Sequence, residues 1–236
     1  MPRLIAIGDV HGCSTALAAL IELIEPLPED VLVFLGDLID RGPDSRGVLD
    51  QVLGLTVRCG LRLVRGDHED MLLGALHDEG TRYKWLKCGG EPTLRSYGWV
   101  PGGPKRPLSH WIPASHQMLL ATAEWYYETP THIFIHAGYE PDTPLADQSQ
   151  AALIWRVMHR GSAKPHCSGK VVVVGHTPQL SGEILDLGFQ ICIDTNCARG
   201  GWLTALDVIS GQVWQADESG LTRKRSFEVS DSHDSP

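Results

Sequence analysis

Apolar and polar positions follow two modes along this chain. Short continuous apolar runs end in glycine or an ionisable residue. Between them lie stretches whose apolar residues recur every three or four positions. The runs are LIAIGD (4–9), VLVFLGD (31–37), LRLVRGD (61–67), HIFIHAG (132–138), KVVVVGHT (170–177) and FQICIDT (189–195). Their length and β-branched content predict buried strands. After the first, Ser14 can cap a helix with Leu17, Leu20, Ile21 and Ile24 on one face. A second helix near 45–54 turns Val48, Leu49, Val52 and Leu53 inward, and Met71, Leu72, Ala75 and Leu76 continue a third. Strand–helix alternation of this kind predicts parallel pairing and an α/β class. Residues 80–128 break the pattern, being rich in Trp, Gly and Pro, and read as a cap insertion of helices and loops. GWLTALDV and GQVWQAD read as a late hairpin turning at 210–211. From about Arg223 the chain turns polar and Ser-rich. One domain over 1–222 and a disordered tail over 223–236 are therefore expected.

A chain of 236 residues can build a proper core. Its net charge of −9 disfavours non-specific binding to a nucleic-acid polymer, though a local cationic site could still take an anionic substrate. Cysteines stand at 13, 59, 88, 167, 192 and 197 without a C-x-x-C pair, which argues against structural zinc and for buried free thiols in a reducing compartment. The chain enters a strand by Leu4, so no secretory signal is expected, and no apolar run nears the ~18 residues of a membrane helix. A cytoplasmic protein with no membrane partner is the expectation.

LVRGDHED (63–70) crowds Asp67, His68, Glu69 and Asp70 behind an apolar run. Alone, it suits a solvated turn, an Arg-Gly-Asp adhesion tripeptide or part of a metal site. The absence of any export signal argues against adhesion. Four further stretches share its form: GDVHG (8–12), GDLIDRG (36–42), IHAG (135–138) and GHT (175–177). In an open α/β sheet, strand carboxyl ends converge on one crevice. Asp9, His11, Asp37, Asp67, His136 and His176 would meet there. So many unpaired carboxylates would repel one another; a pair of divalent cations removes that problem. Mixed Asp/His ligation suits Mn, Fe, Zn or Co.

In order and number these motifs resemble the phosphoprotein-phosphatase branch of the calcineurin-like metallophosphoesterases. WLKCGGEPTLRSYG (85–98) resembles a segment of its bacterial members, which include phage-type and bacterial serine/threonine protein phosphatases and symmetrical diadenosine tetraphosphatases. IDTNCARGGWLTALDV looks like the closing strand region, and the resemblance covers about residues 4–216. It implies a two-layer β-sandwich flanked by helices, with a helix and loop cap. It implies two divalent transition-metal ions, Mn first among them. Asp9, His11 and Asp37 would hold one ion, and Asp37, Asp67, His136 and His176 the other. The implied reaction is in-line attack on phosphorus by a hydroxide bridging the metals. His68 would protonate the leaving oxygen, oriented by Asp40. Arg41 and Arg65 would clamp the phosphate, unless they only neutralise neighbouring aspartates.

The implied substrates are phosphoserine and phosphothreonine in proteins. The alternatives are a diadenosine tetraphosphate, or a phosphoprotein-binding module with weakened turnover. Four positions depart from the family pattern. Asp67 replaces the usual Asn, Cys88 the Asn of N-G-G, and Asn196 the Gly of I-D-T-G. The arginine of L-W-x-R is displaced, leaving Arg156 or Arg160 to approach the phosphate. Within the cap, Trp85, Tyr97, Trp99 and Trp111 could stack on a base or contact a peptide, or pack the cap's own core. Histidines 77, 110, 116, 132, 159, 166 and 233 are expected in solvated or satisfied core roles, and RKRS (223–226) as a solvated tail rather than a kinase-type site.

Overall fold

The computed structural model describes residues 2–104 and 106–226. The first six elements alternate: β1 (Leu4–Ile7), α1 (Ser14–Ile24), β2 (Val31–Phe34), α2 (Ser45–Leu55), β3 (Gly60–Leu63) and α3 (Asp67–Ala75). The cap follows as α4 (Glu79–Trp85), a π-helical turn (Leu86–Gly90), α5 (Glu91–Ser96), α6 (Leu108–Trp111) and α7 (Ala114–Ala121). Then come β4 (Tyr127–Glu128), β5 (His132–Phe134), α8 (Gln150–Trp155), β6 (Val171–Val174), β7 (Leu185–Asp186) and β8 (Gln190–Cys192). β9 (Leu203–Asp207), β10 (Gln212–Ala216) and β11 (Thr222–Ser226) close the order.

The strands form two sheets rather than one open sheet. Sheet one runs β11-β10-β9-β1-β2-β3, and sheet two runs β4-β5-β6-β8-β7. Pairing is parallel within β1-β2-β3 and within β5-β6-β8, as the alternation predicted, and antiparallel at β9, β10 and β11. The unbroken apolar runs follow from burial on both faces. Ala6, Val33, Phe134, Val173 and Ile191 pack together between the sheets. Their neighbours Ile5, Ile7, Leu32 and Phe34 pack outward with α1 and α2, while Ile133, Val172 and Val174 pack outward with α8.

One boundary is corrected. Thr222–Ser226 is a strand paired antiparallel to β10, so order extends past the point where a tail was expected. Arg223 lies 4.1 Å over the Trp202 ring, and Arg225 pairs with Glu183. These cross-strand and cationic contacts outweigh the polar composition. The remainder of that expectation lies outside the described residues. Among the described residues, no helix is long and apolar enough to cross a membrane.

Candidate metal centre

Five strand ends meet at the seam between the sheets. Sheet one supplies the loops after β1, β2 and β3. Their backbones are mutually bonded: Val10 and His11 N–H both donate to Asp37 O, at 3.0 and 2.7 Å. His11, Asp37, Asp40 and Arg41 all adopt positive φ. Gly66 must be glycine, because a Cβ there would lie 2.3 Å from Asp37 Oδ1. Sheet two supplies His136 after β5 and His176 after β6.

These loops bring together most of the expected ligands. Ligand atoms of Asp37, Asp67, His136 and His176 lie within 4.8 Å of one another. His11, Asp37 and His68 form a second such group. Asp37 belongs to both, with one oxygen facing each way: Oδ2 is 3.3 Å from His11 Nε2 and Oδ1 is 3.4 Å from His136 Nε2. Asp67 Oδ1 lies 3.1 Å from His136 Nε2 and 3.1 Å from His176 Nδ1. Asp9 stands further out, with Oδ2 4.0 Å from His11 Nε2, and its oxygens accept the His176 N–H.

The donor set fits divalent cations. His11 Nδ1 donates to Ile39 O at 3.0 Å, and His136 Nδ1 to Leu35 O at 2.7 Å, so each ring turns Nε2 towards carboxylates. A carbonyl that fixes the tautomer in this way is the usual support of a ligating histidine. Burial works against a charged His136, yet Asp37 and Asp67 push its pKa well above the ordinary value. That position therefore favours a cation, whether a proton or a metal. His11 differs, since burial, joined by Arg41 and His68, brings it down to about 3 and leaves it neutral for ligation. Burial and Asp194 push the Asp9 carboxyl up. Six carboxylates, Asp9, Asp37, Asp40, Asp67, Glu69 and Asp194, are buried around the cluster. Divalent cations offset that density of charge.

His68 sits one residue beyond Asp67, at the start of α3. Its Nδ1 donates to Asp40 Oδ2 at 2.7 Å, leaving Nε2 towards the cluster, 3.9 Å from Asp67 Oδ2. Burial opposes the imidazolium, but Asp37 and the bond to Asp40 outweigh it and push His68 up to about 9. A protonated nitrogen facing the cluster can serve as a general acid. Arg41 reaches the same rim, its Nη1 2.5 Å from His11 Nε2.

Two expected arginines are placed differently. Arg65 makes its contacts with residues outside the cluster. Its guanidinium stacks 4.6 Å over Trp125, donates to Ala121 O and lies 3.7 Å from Asp70. Cation–π and ion-pair contacts on the β3–α7 side hold it there. Arg156, at the end of α8, pairs with Glu140 and donates to Tyr139 O at 3.2 Å. It packs on Gly138, two residues beyond His136, so it borders the centre without entering it.

The roles of three buried residues were missed from sequence. Glu69 accepts three backbone N–H groups: Asp37 at 2.7 Å, Leu38 at 2.8 Å and Gly66 at 3.0 Å. It pins the β2 loop to α3. A glutamate three positions after a glycine helix cap was a readable signal. Trp85 Nε1 and Thr93 Oγ1 both donate to Asp40, at 2.8 and 2.6 Å. Trp85 is 0 % exposed and cannot stack on a substrate. Tyr97 bonds to His116 at 2.6 Å, and Trp99 and Trp111 pack on the main core. The cap aromatics thus pack the cap and its junction, and the buried, bonded His116 fills the core role expected of it.

Two sheets sandwiched between helices, with carboxylates and histidines at their shared carboxyl edge, are the arrangement of the metal-dependent phosphoesterase fold. The calcineurin-like phosphoesterase model matches residues 2–190, and the chain belongs to that family. It is 34 % identical over 208 residues to serine/threonine-protein phosphatase 1 of Salmonella typhimurium, covering 84 % of this chain and 88 % of that one. It is 37 % identical over 147 residues to the symmetrical bis(5'-nucleosyl)-tetraphosphatase of Legionella pneumophila, covering 62 % of this chain. The chain spans about half, 47 %, of that relative's length. A solved structure described provisionally as a diadenosine tetraphosphatase superposes with a TM-score of 0.66 at 22 % identity, covering 97 % of both chains.

Proposed function

We propose that this metallophosphoesterase hydrolyses phosphoserine and phosphothreonine in proteins, using two divalent transition-metal ions, with manganese foremost. The observation that carries the substrate class is identity and extent taken together. The phosphatase relative is 34 % identical and aligns over 88 % of its length, whereas the symmetrical tetraphosphatase aligns over 47 % and an asymmetrical tetraphosphatase, aligned over 88 %, is 27 % identical. The cytoplasm, with its phosphoproteins, is the proposed location.

In this reading Asp9, His11 and Asp37 hold one ion, and Asp37, Asp67, His136 and His176 the other. Bound there, the ions supply Lewis-acid polarisation of the phosphoryl group and activation of water. The chain's own residues do the rest. Asp37, with one oxygen towards each ligand group, would be the ligand that both ions share. Arg41, exposed at the rim, binds the phosphoryl oxygens in the fork geometry guanidinium favours. His68 carries a proton on Nε2 and delivers it to the leaving serine or threonine oxygen. Asp40 keeps the other ring nitrogen protonated and stabilises the imidazolium. Arg156, beside Gly138, is a further cation for the substrate's flank.

Product analysis tests the substrate. The manganese-loaded protein is given a phosphoserine peptide and diadenosine tetraphosphate in parallel. Faster release of phosphate from the peptide, abolished by chelator, is expected. Preferential formation of adenosine diphosphate would assign the protein to the nucleotide branch. Peptide binding without turnover would make it a binding module.

A further inference from the structure

The proposed acid is a pair, His68 and Asp40, and the pair is held by a third party from another part of the chain. Both Asp40 oxygens are occupied. Oδ2 accepts from His68 Nδ1 and Trp85 Nε1, and Oδ1 accepts from Thr93 Oγ1. The Asp40 N–H is also bound, to Thr93 Oγ1 at 2.9 Å and Ser45 Oγ at 3.0 Å. Asp40, Ser45, Trp85 and Thr93 are all 0 % exposed, so water cannot replace any of these partners. The π-helical turn closes the arrangement. A Cβ on Gly90 would lie 2.3 Å from the Trp85 ring, and Gly89 O accepts the Arg41 N–H at 3.0 Å.

A carboxylate with one partner can rotate about its Cβ–Cγ bond, and the imidazole it holds rotates with it. Three donors in different directions fix its plane. They also favour the ionised form, which is the form that accepts from Nδ1. Trp85 takes one lone-pair direction of Oδ2 and leaves the other to His68. The line from Asp40 through the ring to Nε2 is then set from the cap.

We infer that Trp85 and Thr93 are positioning residues for His68, acting through the Asp40 carboxylate. The inference rests on the reading of His68 as general acid. It gives segment 85–93 a part in the chemistry, where the sequence left Trp85 between substrate contact and packing of the cap. The rival account is that Trp85 and Thr93 only fill the core.

The two accounts separate by leaving group. A poor leaving group such as the alkoxide of a phosphoserine peptide needs protonation, and p-nitrophenolate needs little. With manganese-loaded protein, Trp85→Phe and Thr93→Val are expected to lower kcat on the peptide roughly ten-fold and on p-nitrophenyl phosphate less than about two-fold, KM unchanged. Thr93→Ser should restore the peptide rate. In a His68→Asn background neither change should cost anything further, because residues acting through one group are not additive. A packing role predicts equal losses on both substrates, persisting in the His68→Asn background, and that result would overturn the inference. If His68→Asn itself lost activity equally on both substrates, the acid reading would fail instead. Should Trp85→Phe not fold, the Thr93→Val and Thr93→Ser pair decides. A second readout, taken in chelator-treated protein free of paramagnetic ion, is the ring N–H proton resonance of His68, assigned by its loss in His68→Asn. It should shift in Thr93→Val and return in Thr93→Ser; an unmoved resonance would also overturn the inference.

Discussion

Sheet one sends three loops to the site and sheet two sends two, and the halves are built differently. On sheet one, His11, Asp37, Asp40 and Arg41 sit at φ of 44, 50, 72 and 65°. Each such residue costs on the order of 1 kcal/mol or more. They persist because the surroundings fix them: Asp37 O accepts two N–H groups, Glu69 three, and Asp40 is bonded on every side. Sheet two contributes two imidazoles, and only His176 departs from ordinary backbone. Their orientation is set from across the seam. His136 donates to Leu35 O of sheet one's β2 loop, and the His176 N–H bonds to Asp9. One half is thus a rigid frame, and the other delivers ligands into it.

The largest break in that asymmetry should come at Asp37, the carboxylate the two groups share. Asp37→Ala should lower kcat/KM at least about 10³-fold, since several kcal/mol of charge stabilisation are lost on both sides. His176→Ala removes one ligand at the edge and should cost less. Kinetics paired with elemental analysis of bound metal would check this. Equal losses and equal metal contents would mean that sheet two is no junior partner.

Next in size is the effect of metal on the seam itself. Ions held by both sheets bind the folded chain and not the unfolded one. At a hundred times the dissociation constant that adds about 2.7 kcal/mol, or roughly 5–10 °C in Tm for a chain of this size. Manganese titrated into chelator-treated protein should raise Tm by this amount. The rise should shrink in His136→Ala, where sheet two loses its buried ligand. An undiminished rise there would place the stabilising ion wholly on sheet one.

The strands, and the cluster of Asp and His side chains at their ends, were legible in the sequence because each strand is short and local, and each motif sits at its end. What stayed hidden depends on distance. Trp85 meets Asp40 across 45 positions, and nothing in WLKCGG marks an indole N–H aimed at a carboxylate. Arg65 stands two residues before Asp67, yet its side chain stacks on Trp125, a contact made by tertiary packing. The β11 strand was masked by its polarity, because an edge strand with alternating exposure needs few apolar residues. The division into two sheets came from the family resemblance, since runs buried on both faces look alike in one open sheet and in a sandwich.

A smaller effect should separate the frame from its ligands. The hydrogen bonds of Glu69 go to backbone N–H groups, tying Asp37, Leu38 and Gly66 together. Glu69→Gln keeps the shape but turns one acceptor into a donor facing an N–H. An unsatisfied buried pair of that kind costs about 2 kcal/mol. Thermal unfolding in chelator should show a loss of that order, because the frame is weakened whether or not metal is bound. A loss seen only with metal would make Glu69 part of the ligand system.

The smallest expected effect concerns Asp67, which belongs to sheet one but faces both histidines of sheet two. Burial opposes its charge, yet the bonds from His136 and His176 hold its carboxyl well below the ordinary range. A depressed carboxylate contributes stability above its unfolded pKa of 3.8 and loses it as pH falls through the folded value. His136 is the reverse: its raised pKa contributes fully below 6.5 and is lost as pH rises through the folded value. In chelator the pair is therefore complete between about pH 4 and 6.5. Asp67→Asn should lower stability there by about 1–2 kcal/mol, the worth of a hydrogen bond to a charged group less what the amide oxygen retains. The deficit should narrow as pH falls below 3.8, because the unfolded chain's carboxyl takes up a proton that the folded one does not, and again at alkaline pH, as His136 loses its proton. With metal bound, the same change leaves the centre one unit more positive. Affinity for manganese should fall, and the alkaline-rising limb of the rate profile should move to lower pH, because added positive charge acidifies proton-bearing groups beside it. A deficit constant across pH, or a limb that stays in place at saturating metal, would show that Asp67 acts on the seam by shape and not by charge.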